Sequence, residues 1–142
     1  MKPFRHCLIV AFALTLAAGC ASAAGTVTPS THPRPKTVTK TVTDRDKGKT
    51  VTLHVGDRLK VVLASTYWTI LGGSPTVLLA GKQVTTPSRN VCVPGGGCGT
   101  ASETFTAHGK GRSTVNASRT SCGEALRCTG GKGEFSVTVV VN

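Results

Sequence analysis

Four cysteines in two equally spaced pairs, 92-CVPGGGC-98 and 122-CGEALRC-128, are the residues of this 142-residue chain best placed to do chemistry. Such C-x5-C units can supply metal ligands, a redox couple or two loop staples. Zinc knuckles use a tighter spacing and sit in reducing compartments. A redox pair is more often C-x-x-C at a helix N-terminus, where the local field lowers the thiol pKa, and no amphipathic helix can be read here. Structural disulfides are therefore the expectation, with no metal site and no cofactor. Local pairing, Cys92 with Cys98 and Cys122 with Cys128, is expected over cross-pairing. Each small closed loop then adds roughly 2 kcal/mol by restricting the unfolded chain.

Other reactive groups are few. Asp57 lies in a turn, where side-chain-to-backbone bonding explains it. Glu103 and Glu134 open strands and Glu124 lies inside a cysteine loop, so all three read as solvated charge. His54 falls on the polar face of a strand and His108 in a turn, without a serine or cysteine placed as nucleophile. Gly-Lys at 81–82, 109–110 and 131–132 is not followed by Ser or Thr, which removes a phosphate loop. No catalytic residue is assigned, and the chain is not expected to be an enzyme.

The disulfide reading needs an oxidising compartment, and the N-terminus supplies one. Lys2 and Arg5 precede the uncharged run 7-CLIVAFALTLAAG-19, the pattern of a bacterial export signal over residues 1–24. In 16-LAAGC-20 small residues precede Cys20, which resembles a lipobox; Cys20 would then carry lipid and hold the protein at the cell membrane. The small-x-small site 21-ASA-23 is the alternative and would release a secreted protein. The formal charge of +11 suits loose attraction to anionic surfaces. A nucleic-acid partner is not expected, because the cations are scattered and only one Trp, one Tyr and four Phe are present for stacking.

The elements that must position the cysteines come next. Residues 25–49, rich in Thr, Pro and Lys, read as a tether, with His32 solvated within it. Its distal part, 37-TVTKTVT-43, alternates weakly and could add an edge strand. From Thr50 the period becomes two. In 50-TVTLHV-55 and 58-RLKVVLA-64 the aliphatics fall on one face, and Gly56-Asp57 between them predicts a hairpin. Further strands are read over 66–71, 76–80, 103–107, 112–118 and 134–142, with 85–99 and 120–133 as loops. Residues 50–142 then form an all-β domain, an antiparallel immunoglobulin-like sandwich of about seven strands. Trp68 is expected in its core, and Phe135, Val137, Val139 and Val141 form its clearest buried face.

In this order the segments 51-VTLHVGDRLKVVL-63, 95-GGGCGTASETFTAHGKGRSTVNASR-119 and 134-EFSVTVVV-141 resemble the chagasin-type inhibitors of papain-like cysteine proteases. The resemblance spans about 50–142. It implies an immunoglobulin-like fold and inhibition by three neighbouring loops laid across the protease cleft, here about 64–68, 92–99 and 119–128. The residues it implies at the contact are Thr66, Tyr67, Gly95, Gly96, Gly97, Gly99 and Arg119. The first loop, 64-ASTYW-68, lacks the family's Asn, Pro and Gly, and 119-RTSC-122 keeps the arginine without the Pro-Trp that follows it in the family. A second function stays open beside inhibition: a non-inhibitory, envelope-anchored domain that binds another protein through the same stiffened edge.

Overall fold

The computed structural model describes residues 36–89, 92–124 and 126–142. Residues 1–24, read above as an export signal, lie outside them, as do Cys20 and His32. Nine strands are found among the described residues: β1 (Thr39–Thr43), β2 (Thr50–Leu53), β3 (Arg58–Ala64), β4 (Thr69–Gly72), β5 (Leu78–Ala80), β6 (Val84–Pro87), β7 (Gly99–Ala107), β8 (Gly111–Ser118) and β9 (Glu134–Val141). One sheet runs β1-β3-β7-β5, with β6 also on β7; the other runs β2-β9-β8-β4. Leu59, Val61, Leu63, Ala101 and Phe105 from the first sheet meet Leu53, Val115, Val137 and Val139 from the second, all fully buried. Trp68 joins this core, as its position in the sequence predicts.

The edge strand expected in 37–43 is present, and Val42 is buried in the core. The hairpin expected across Gly56-Asp57 is not. β2 pairs with β9 and β3 pairs with β1 and β7, so the two strands belong to opposite sheets. Their aliphatic faces look at each other across the core instead of lying side by side, and alternation alone is the same in both arrangements. Gly56-Asp57 is thus a corner between layers. The Asp57 carboxylate accepts the Val38 N–H and the His54 N–H, both at 2.9 Å. Those two bonds hold its pKa below the ordinary carboxylate range. Gly56, at φ +94°, donates its N–H to the Ala107 carbonyl at 2.8 Å. The expectation of a wholly antiparallel sandwich is also corrected, because β1–β3 and β2–β9 run parallel. Within the segment read as loop, β6 is paired; all four of its residues are exposed, so it has no buried face to betray it.

Glu103 is not solvated. It points inward from β7 between Ala101 and Phe105, opposite Val61, with 7 % of its surface exposed. Burial raises its carboxyl pKa. The folded state therefore holds this proton more tightly than the unfolded chain does. Stability falls as pH climbs from the unfolded pKa through the raised folded one, and stays lower above it. Glu103→Gln removes that penalty. Its thermal midpoint is expected to lie a few degrees above wild type at neutral pH, and the gap should close below the carboxylate range; a pH series of melts checks both.

Candidate protein-binding edge

Three connections meet at one end of the sandwich: 65–68 between β3 and β4, 88–98 between β6 and β7, and 119–133 between β8 and β9. They meet because β3 ends where β7 begins, and β8 ends where β9 begins: Ala64 pairs with Thr100 and Ser118 with Glu134.

In the first loop Ser65 takes φ +117°, a conformation costly to any residue with a Cβ. The surrounding bonds over-determine it. Ser65 N–H donates to the Gly99 carbonyl at 2.8 Å, Thr66 N–H donates to the Gly97 carbonyl at 2.9 Å, and Tyr67 N–H donates to Ser65 Oγ at 3.2 Å. The Trp68 indole N–H donates to the Ala64 carbonyl at 3.1 Å. Gln83 secures the next stretch: its carboxamide accepts the Ile70 N–H and donates to the Trp68 carbonyl, both at 2.8 Å. This side chain fills the unpaired rim of β4 as a neighbouring strand would.

The second loop is closed by the Cys92–Cys98 disulfide, with the Cα atoms 5.9 Å apart. Gly97, at φ +61°, lies so close beneath the Tyr67 ring that a Cβ there would collide with it. Gly99, at φ +129°, lets β7 pass against Thr86 and Pro87 where a Cβ would strike backbone. The third loop is closed by Cys122–Cys128, Cα atoms 5.0 Å apart, and by Cys122 N–H donating to the Leu126 carbonyl at 2.8 Å. The local pairing expected from the sequence is the pairing present, and it engages all four sulfurs.

The loops also hold one another. Glu124 N–H donates to the Gly95 carbonyl at 2.8 Å, joining the third loop to the second. The Arg119 guanidinium stacks on the Trp68 ring, 4.6 Å from its centroid, and Nη1 donates to the Ala64 carbonyl at 3.5 Å, joining the third loop to the first. All seven residues assigned to the contact therefore lie on this edge. Gly97 and Tyr67 touch, whereas Arg119 is half-buried and braces two loops. Among the described residues each loop also presents one exposed large apolar side chain: Tyr67 at 37 %, Val93 at 51 % and Leu126 at 66 % exposure. Val93 and Leu126 were not singled out from the sequence. Their signal is a large apolar residue inside a polar, glycine-rich loop, where no core needs it. An open groove of about 620 Å³ runs beside the third loop, lined by Arg119, Ser121, Leu126, Arg127, Cys128 and Glu134 among others.

The two histidines among the described residues lie away from this edge. His54 stands at the opposite end, 3.6 Å from Asp57 Oδ2, and His108 N–H donates to the Val77 carbonyl in the same region.

No family model matches the chain, and no curated protein matches it in sequence. Solved structures do match. A cysteine protease inhibitor from Entamoeba histolytica superposes with a TM-score of 0.57 at 11 % identity, over 77 % of this chain and 100 % of that one. Amebosin superposes with a TM-score of 0.54 at 12 % identity, over 75 % of this chain and 100 % of that one. The chain shares their fold. At such identity the likeness is one of architecture, so the resemblance read from the strand order holds at the level of the immunoglobulin-like sandwich that these two proteins share with it.

Proposed function

We propose that the domain inhibits papain-like cysteine proteases by laying its three-loop edge across the active-site cleft. One observation carries this reading: main-chain bonds join the three loops to one another, and a disulfide closes each of the second and third on itself, before any partner arrives. Binding then loses little conformational entropy, and the affinity keeps most of what the contacts supply. Glycines 95–97 let the backbone of the second loop come close to a partner surface, while Tyr67, Val93 and Leu126 offer one apolar anchor per loop. The inhibitor works by occlusion and needs no catalytic group, cofactor or metal of its own. The fold shared with an inhibitor supports the reading. Lys2, Arg5, the apolar run and Cys20 support export and a lipid anchor that would place the edge at the cell envelope.

The test is a titration of papain activity with the oxidised protein, its disulfides verified by a non-reducing peptide map. Reversible, substrate-competitive inhibition at or below micromolar protein is the expected result. Absence of inhibition at that concentration would overturn the reading in favour of a binding domain for a different protein.

A further inference from the structure

The end of the sandwich opposite the loops has its own character. It is built from the start of β1, the 54–58 corner and the 108–112 turn. Arg58 N–H bonds the Val38 carbonyl and Ala107 N–H bonds the Asp57 carbonyl, each at 2.8 Å; Asn142 N–H bonds the Leu53 carbonyl at 3.0 Å. Lys36, Arg58, Lys110 and Arg112 stand exposed around it. Its one acid among the described residues, Asp57, is buried and engaged by two backbone N–H groups. The loop end differs, because Asp44, Asp46, Glu124 and Glu134 are interspersed with its cations. Two exposed valines, Val38 at 48 % and Val55 at 51 %, sit among the cations of the corner end. The chain also enters the described residues here, at Lys36.

We propose that this corner end docks on an anionic lipid surface. Lys36, Arg58, Lys110 and Arg112 meet headgroup phosphates, and Val38 and Val55 reach the boundary with the acyl chains. A soluble polyanion would satisfy the cations equally but gains nothing from two exposed valines, which is why a lipid is the assigned partner. Docking in this sense turns the loop edge away from the membrane and into solution. The proposal stands whether or not the loops inhibit a protease.

Partitioning of the full chain onto vesicles tests it, at fixed ionic strength, with phosphatidylglycerol mixed into phosphatidylcholine or with phosphatidylcholine alone. Every variant keeps residues 1–35, so their own contribution cancels in the comparison. Arg58→Gln with Lys110→Gln is expected to lower partitioning onto the anionic vesicles about tenfold or more. Arg45→Gln with Lys132→Gln, at the loop end, removes the same charge and should change it less than about threefold. In bicelles doped with a gadolinium-chelating lipid, amide signals of 54–58 and 108–112 should be attenuated while those of 92–98 persist. Equal losses in the two variants, no preference for phosphatidylglycerol, or attenuation at the loop end would overturn the proposal. Binding to soluble polyphosphate as tight as to the vesicles would overturn the lipid assignment.

Discussion

Trp68→Ala is expected to lower the stability of the domain by about 3–5 kcal/mol, the range for truncating a large buried aromatic. Against the roughly 5–15 kcal/mol that holds a typical domain folded, this is a large share. The thermal midpoint should fall by about 15 °C or more, read by far-ultraviolet circular dichroism because the chain has a single tryptophan. Three losses combine. The ring leaves a cavity between the sheets, where it is only 4 % exposed. The Ala64 carbonyl loses its indole donor. The Arg119 guanidinium loses the face on which it stacks. Trp68→Phe keeps much of the packing and loses the indole bond, so about half the effect is expected. Arg119→Ala removes only the stack and a long hydrogen bond, worth about 1 kcal/mol. A double-mutant cycle between Trp68 and Arg119 should therefore return a coupling near that size; additivity would mean that the stack does not link the core to the third loop.

Gly97→Ala is expected to leave the fold intact and to weaken papain inhibition at least about tenfold, which corresponds to ~1.4 kcal/mol. An alanine at φ +61° costs roughly 1–2 kcal/mol in backbone conformation. The larger consequence is steric. The new methyl would enter the space of the Tyr67 ring and stand 3.0 Å from Ser65 Oγ, so the first and second loops must separate. Gly130→Ala is the control: that glycine has φ +59° but open space around it, so only the backbone term applies. If the two variants inhibit equally, the seat of Tyr67 on Gly97 has no part in binding. Amide spectra of Gly97→Ala should show shifts confined to 64–68 and 92–99, which separates loop displacement from global unfolding.

Much of this protein is legible in its sequence, and each reading that holds rests on local information. Period-two alternation over 58–64, 112–118 and 134–141 marks which side chains enter the core, because successive residues of a strand point to opposite faces. Trp68 and the β9 valines are buried as that pattern requires. The disulfide pairing also follows locally, since the partners in each pair are six residues apart and small loops close readily. The readings that fail need information from afar. Alternation states that Leu53 and Leu59 are buried but not that they come from opposite sheets, so a corner looked like a hairpin. It carries no strand direction, so the parallel pairs at β1 and β2 were invisible. Glu103 fails differently: its charge reads as that of a surface residue, although it shares the parity of Phe105 and Ala107 on β7 and points into the core with them. The meeting of the three loops is likewise a property of topology. Thr66 bonds Gly97 and Glu124 bonds Gly95 across tens of residues of chain, because long-range strand pairing returns three chain reversals to one end of the sandwich. Local spacing determined what the loops are made of; the tertiary structure decided that they form a single surface, because main-chain bonds between distant segments exist only once both sheets are closed.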